Sequence, residues 1–541
     1  MRITNQMMIN NTMANIQVNK NQLSTIDNQL STQKKISKPS EDPIVAIRAL
    51  RLRSSLEQVT QYLDKNIPDA SSWLDVTEGA LNEANSIITN LYQYCNQGST
   101  DSYSTAERDT IATSLNKLKE AFYSQGDVDY AGRYVFSGFQ TDKPLTYQSN
   151  ADAENVNYTI TQNFTRDNIE NKTIYTNAYS NDDIVNLNVT KDGDGNYVTP
   201  NVADVYRIRT GYTTVKDTGY QMNYNDTDIK VNDDGTQATV TTYELDASGA
   251  VKKDADNNPI VKATTTVALG ADKKFEVTDS HGNAVKIGTT TDANCAPAAN
   301  EIMFNATTGE VLLGTDTHKT IYNTNSFSLT YNKDNFIKGD LDPTMYYNCV
   351  DNNTGIAYKK ESSAIEYNIN FSQKLKVNTE ASDAFDIYLG RDIDDLVNSV
   401  QNVIDVESQI DKVKSMQGLD QYKDDASQEK LSAMLEGLNK QHDLAKDQMT
   451  KAFESGVSKM QSHQQTVTLA KADVGNRQTR LDLTKSRLTD QKTNFTTLKS
   501  QNEDVDLEEV VVNYTSAELV YNASLTAASK AVQQTLLDFL R

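Results

Sequence analysis

The side chains that most often carry chemistry are sparse and scattered in this sequence. It has four histidines: His281, His318, His442 and His463. No two share metal-ligand spacing, and H-E-x-x-H, which would set two imidazoles on one helix face for zinc, does not occur. A P-loop, a G-x-S-x-G elbow and a G-x-G-x-x-G loop are also missing. "DGDGNY" from Asp192 starts like a calcium loop, but Tyr197 stands at the sixth position, where a glycine is needed, and the twelfth is not glutamate. A hairpin turn is the simpler reading. The three cysteines, Cys95, Cys295 and Cys349, are too few and too far apart for a disulfide framework. Free thiols are the plain reading, with a Cys295–Cys349 bridge left open. Carboxylates are plentiful, but in so acidic a chain a close pair carries no information. The expectation is no enzyme, no cofactor and no metal.

What remains is apolar side chains at regular spacing. Ile9, Ile16, Leu23 and Leu30 are seven apart, with Met13 between. Ile67, Leu74, Leu81 and Ile88 repeat the interval, and Met460, Val467, Val474, Leu481, Leu488 and Phe495 extend it to six positions. A seven-residue interval keeps side chains on one slowly drifting helix face, the seam of a coiled coil. Near the end Leu507, Val511, Tyr514, Tyr521, Leu525, Ala528, Val532 and Phe539 alternate largely by fours and threes or sevens, with a second apolar edge at Val510, Ala517, Leu536 and Leu540.

The elements that carry these stripes follow from composition. The chain has 541 residues, net charge −22 and 37% hydrophobic residues, and its mean hydropathy is strongly negative. That is lean for one large core and favours an elongated molecule with thin ones. The acidic balance disfavours a nucleic-acid binder, since a phosphate backbone needs clustered Lys and Arg. The opening "MRITNQMMINNTMANIQVNK" has no apolar core of a secretory signal, and no run of about 20 apolar residues would span a bilayer.

Residues 46–143 and 383–501 read as a helical rod, and 1–45 with 502–541 as a terminal coiled coil. In "SKPSEDPIVAIRAL" Pro39 and Pro43 break the helix, with Asp42 placed to cap the next one. Pro68 is expected to kink its helix. Residues 144–382 are rich in Gly, Asn, Asp, Thr and Tyr. Runs such as "QATVTTYEL" and "TTTVAL" alternate with turns such as "DASG" and "DSHGN", the pattern of antiparallel hairpins. The expected fold class is therefore α+β, an elongated rod of coiled-coil-like helices from both termini with a central β-rich inserted domain of one or two lobes facing solvent. The glycines Gly418, Gly437, Gly456 and Gly475 recur every nineteen residues, but their flanks do not match and the spacing reads as chance.

The stripe Met460–Phe495 finds a partner in the Leu56–Leu91 region. The terminal pair has no other segment of its own chain to cover it. Burying a Leu or Phe contributes roughly 1.5–3 kcal/mol, so a surplus of exposed ones favours association. The residues expected at an assembly interface are Ile9, Met13, Ile16, Leu23 and Leu30 from the first helix. From the last helix they are Leu507, Val511, Tyr514, Tyr521, Leu525, Val532, Leu536, Phe539 and Leu540. In a lone copy these ends are expected to be largely unfolded and to order on packing.

Several stretches carry a resemblance. The first 56 residues, "SSWLDVTEGALNEANSII", "AGRYVFSGFQTDKPLTY", "LAKADVGNRQTRLDLTKSRL" and the ending "SAELVYNASLTAASKAVQQTLLDFL" resemble the flagellin superfamily, and within it the hook–filament junction branch. The resemblance covers about 145 residues at the front and 80–90 at the back, and none of the middle. It implies a structural protein of the bacterial flagellum, exported through the flagellar type III apparatus without a cleaved signal peptide. The partners it implies are further copies of the chain, a hook-side junction protein, flagellin, and an export chaperone on the last helix. A flagellin that forms the filament itself is the alternative. A coiled-coil surface adhesin, suggested by the Tyr-rich middle, stands third.

Overall fold

The computed structural model describes residues 5–99, 103–362 and 364–539, with side chains described from residue 7 to residue 530 within those ranges. Four helices come first: α1 (Asn5–Thr32), α2 (Pro43–Gln61), α3 (Ile67–Gly98) and α4 (Thr105–Ser124). The short helices α5 (Asn150–Ala153), α6 (Asn181–Asn186) and α7 (Thr315–Thr324) lie among strands. The order closes with α8 (Ala381–Ala384), α9 (Ile387–Gln417), α10 (Asp425–Glu503) and α11 (Leu507–Phe539). The fold is α+β, helical in its N- and C-terminal regions with a β-rich middle. Strands begin before residue 144, in a two-stranded ribbon of Asp129–Tyr130 with Arg133–Tyr134.

The chain divides into two compact units. One holds residues up to 72, 366–376 and 477 onward. Here α2 starts as its sequence dictates: the Asp42 carboxylate accepts from the Ile44 and Val45 amides at 2.9 and 3.1 Å, with Pro43 as the first helical residue. Ahead of Pro68 the helix widens into a π-turn over Tyr62–Asn66. A proline has no N–H to donate back to the preceding turn, and a single wide turn absorbs the mismatch. The hairpin Glu366–Asn370/Gln373–Lys376 lies on this turn. Phe371 meets Tyr62 edge-on at 5.7 Å, and Asn66 Nδ2 donates to the Asn368 carbonyl at 2.8 Å. The last part of α10 runs antiparallel to α2 and the start of α3, through Gln478–Ser71 at 3.0 Å and Lys492–Asp64 at 3.5 Å. Leu481 and Leu488 are fully buried and Phe495 half-buried.

The second unit holds residues 73–365 and 377–476. Its helical core contains Trp73, Leu74, Leu81 and Ile88 of α3 and Met460, Val467 and Val474 of α10, all at most 1% exposed. The seven-residue series therefore face inward. Gly456 is what lets α10 approach α3 and α9, because a Cβ there would lie 3.1 Å from Leu396 and 3.2 Å from the Cys95 sulfur. All three cysteines are free, and burial raises the thiol pKa of Cys95 and Cys349 to about 12. The strands form a six-stranded and an eight-stranded sheet. Neighbours pair antiparallel except Ala284–Thr290 with Glu301–Asn305. "DGDGNY" is a hairpin turn, with the Asp192 carboxylate accepting from the Asp194 and Asn196 amides at 3.0 and 2.8 Å.

A buried knot of charges ties the six-stranded sheet to α9 and α10. Arg207 and Arg209, on the strand Asn201–Arg209, point at the helices. Arg207 reaches Glu310 at 2.6 Å and Asp395 at 2.5 Å, and Arg209 reaches Glu170 at 2.7 Å and Asp392 at 2.8 Å. Asp392 also accepts from Lys459 and from His463 Nε2, both at 2.8 Å. Asp386 lies 3.4 Å from His463 Nδ1. Burial alone would raise the Asp392 pKa, but His463, Arg209 and Lys459 hold it far below the usual carboxylate range. Burial alone would lower the His463 pKa, and the hydrogen bonds to Asp386 and Asp392 override it, raising it to about 9. Nothing in the sequence pattern marks His463 for this role.

A histidine raised in the folded state stabilises fully below its unfolded value near 6.5, and that stability fades as pH rises through about 9. The shift corresponds to about 3 kcal/mol. His463→Gln is expected to lower the melting temperature at pH 6 and to converge toward wild type by pH 10. A gap between the two proteins that stays constant over that range would contradict the charged-histidine assignment.

Candidate assembly interface

No proline or glycine interrupts α1 from Asn5 to Thr32, and it ends where Gln33 takes φ +57°, the left-handed turn common just past a helix. The chain there meets the end of α10. Lys35 N donates to the Glu503 carbonyl at 2.8 Å, Val505 N donates to the Gln33 carbonyl at 3.2 Å, and Lys34 pairs with Asp504. Arg53 of α2 holds the buried Glu503 carboxylate with two bonds of 2.7 Å, keeping it below the usual carboxylate range. Asn502 Nδ2 donates to the Val45 carbonyl at 3.1 Å. Four helix ends are thus locked at one point, and Asp506 caps α11 as it leaves, accepting from Glu508 N at 3.0 Å.

From that lock α1 and α11 run antiparallel. On α1 the covered positions are Ile9, Thr12, Ile16, Asn19, Leu23, Ile26 and Leu30; on α11 they are Val510, Tyr514, Ala517, Tyr521, Ser524 and Ala528. Both sets step by threes and fours, as a two-helix seam requires. Mid-seam, Asn19 Nδ2 donates to Ser524 Oγ at 2.7 Å. A polar pair in an apolar seam costs stability and fixes register.

Of the expected interface residues, Ile9, Ile16, Leu23, Leu30, Tyr514 and Tyr521 are half-buried along this pair. Met13, Leu507, Val511 and Leu525 are exposed. Val532, Leu536 and Phe539 belong to α11, but their side chains, like all of Leu540, lie outside the described residues. The seam on α11 keeps Tyr514, Tyr521 and Ala528 of the expected series and is completed by Val510 and Ala517, read as a second edge, and by Ser524, while Leu507, Val511 and Leu525 flank it. The cause is the run Val510–Val511–Val512. Three consecutive helical residues spread over some 200°, so a single partner covers only one.

The consequence is a helix with apolar residues on several sides, of which α1 covers one among the described residues. Val512 is 64% and Leu519 71% exposed on the side away from α1, with Val520 beside them. A helix that is hydrophobic all round belongs in an interior, and here that interior is not supplied by the described residues. A further exposed apolar face lies on α2, at Ile44, Ile47 and Leu50.

Comparison with known proteins places relatives at both ends. The bacterial flagellin N-terminal helical region matches residues 3–141, and the bacterial flagellin C-terminal helical region matches residues 457–540. Flagellar hook-associated protein 3 of Salmonella typhimurium is 28% identical over 144 residues, 26% of this chain and 45% of that protein. A flagellin of Clostridium tyrobutyricum is 29% identical over 120 residues, 22% of this chain and 32% of its own length. Phase 2 flagellin of Salmonella typhimurium is 26% identical over 249 residues, 46% of this chain and 44% of that protein. The chain thus spans less than half the length of these relatives. A solved structure of flagellar hook-associated protein 3 from Legionella pneumophila aligns over 83% of this chain and 97% of its own, at 13% identity and a TM-score of 0.27, too low to describe a common arrangement.

Val512→Asp combined with Leu519→Asp touches neither the seam nor the lock. The pair is expected to leave the thermal melt within about 0.5 kcal/mol of wild type, as for exposed sites, and to abolish self-association in sedimentation velocity. A double variant that associates like wild type would show that this face is not used.

Proposed function

We propose that this chain is a structural component of the bacterial flagellum, the adaptor between hook and filament, assembling through its terminal helices. The observation that carries the reading is α11. It bears exposed Val and Leu on several sides, is covered by α1 along one seam among the described residues, and lies within the region similar to the flagellin C-terminal helical region. Similarity to hook-associated protein 3 over 144 residues supports the junction position, as does the "LLDFL" ending. In this reading the domains divide as 1–45 with 502–541, 46–143 with 383–501, and 144–382. The terminal pair forms an inner layer among copies, the flanking helices a second, and the β-rich part faces solvent.

The expected partners are neighbouring copies, the hook-side junction protein, flagellin, and an export chaperone that shields the apolar side of α11 before assembly. Export would proceed through the flagellar apparatus without a cleaved signal. The second reading, a flagellin that builds the filament, is favoured by the longer similarity to phase 2 flagellin. The seam physics is common to both.

Deletion of the gene separates them. The junction reading predicts cells that keep hooks, bear no filaments and release soluble flagellin into the medium, seen by electron microscopy and by blotting the culture fluid. Intact filaments on the deletion strain would sink the junction reading. Loss of filaments with no flagellin left to release would favour the filament reading.

A further inference from the structure

The exposed faces of α2 and α11 differ in charge. Helix α2 presents Ile44, Ile47 and Leu50 outward together with Arg48 and Arg51. From Pro43 to Leu56 this helix has three arginines and no acid. Arg53, the third, is engaged by Glu503; Arg48 and Arg51 have no ion-pair partner among the described residues. Helix α11 presents Glu508, Val512, Thr515 and Leu519 on the side away from α1, with Glu509 and Glu518 at the flanks. From Asp506 to Glu518 it has four acids and no base. Asp506 is used as the cap, and the carboxylates of the three glutamates have no ion-pair partner among the described residues.

Each face is therefore an apolar stripe edged by unpaired charge of one sign, and the signs are opposite. We propose that the α2 face of one copy packs on the α11 face of the next, Arg48 and Arg51 meeting Glu508 and Glu509 around a core of Ile47, Leu50, Val512 and Leu519. The contact is heterologous: a copy offers its arginine face to one neighbour and its glutamate face to another, so the contact propagates instead of closing on a dimer. The apolar stripe supplies the area, and the charge edges select the pairing and orientation and exclude like faces. Because the charges lie at a rim, association weakens as salt screens them. The inference rests on the assembly reading above and adds which faces meet.

The test is charge reversal in the full chain, read by pelleting of purified protein across a concentration series at low salt. Arg48→Glu with Arg51→Glu gives one variant, and Glu508→Lys with Glu509→Lys the other. Each alone is expected to lose at least tenfold in pelleted fraction, with a thermal melt like that of wild type. A one-to-one mixture is expected to recover assembly, because each variant's intact or reversed face then finds an opposite charge on the other. Wild-type assembly with unimpaired single variants would overturn the pairing. So would variants that fail alone and fail equally when mixed. A wild-type chain that stays monomeric throughout would instead sink the assembly reading on which the pairing stands.

Discussion

The rest of the structure depends on one constraint: α11 is apolar on more sides than the described residues cover. A helix in water is held mainly by burying an apolar face, not by intrinsic propensity. Helix α1 covers a single seam, through Val510, Tyr514, Ala517 and Tyr521. The valines and leucines outside that seam gain nothing from folding alone. Their burial would be worth roughly 1.5–3 kcal/mol per side chain, and the described residues do not supply it.

Such a surface needs its geometry set beforehand, and two polar devices set it. The lock at Glu503 joins Arg53, Lys34 and the backbone of residues 33–35 and 503–505, so the angle at which α11 leaves α10 is fixed by hydrogen bonds of 2.7–3.2 Å. The Asn19–Ser524 pair fixes how far α1 and α11 slide. In the other unit the knot around Asp392 and Arg207 plays the same part between sheet and helices. Buried charges are poor sources of net stability against apolar alternatives, yet costly to break. That makes them suited to holding one arrangement over its near neighbours.

Much of this was legible from spacing alone. The seven-residue series at Ile67–Ile88 and Met460–Val474 face cores because one helix period fits one buried face. Asp42 and Pro43 start a helix, and the Gly- and Asn-rich middle forms hairpins, because those residues act locally. What spacing did not show is what depends on tertiary neighbours. On α11 Tyr514, Tyr521 and Ala528 lie in the seam as the spacing suggests, but Leu507, Val511 and Leu525 do not, because Val510–Val512 and the flanking leucines offer several stripes of similar strength and only the partner decides among them. The π-turn before Pro68 follows from a missing N–H, though the hairpin that covers it comes from 300 residues away. No spacing or motif singles out His463 or Arg207; their meaning arises only where α9, α10 and the sheet meet.

Amide hydrogen exchange, read by mass spectrometry on the purified free chain and on the assembled structure, tests the central claim most directly. The account predicts fast exchange throughout α11 in the free chain and protection of that helix by orders of magnitude after assembly, with the strands of the second unit protected equally in both states. Protection of α11 already complete in the free chain, or unchanged on assembly, would contradict it.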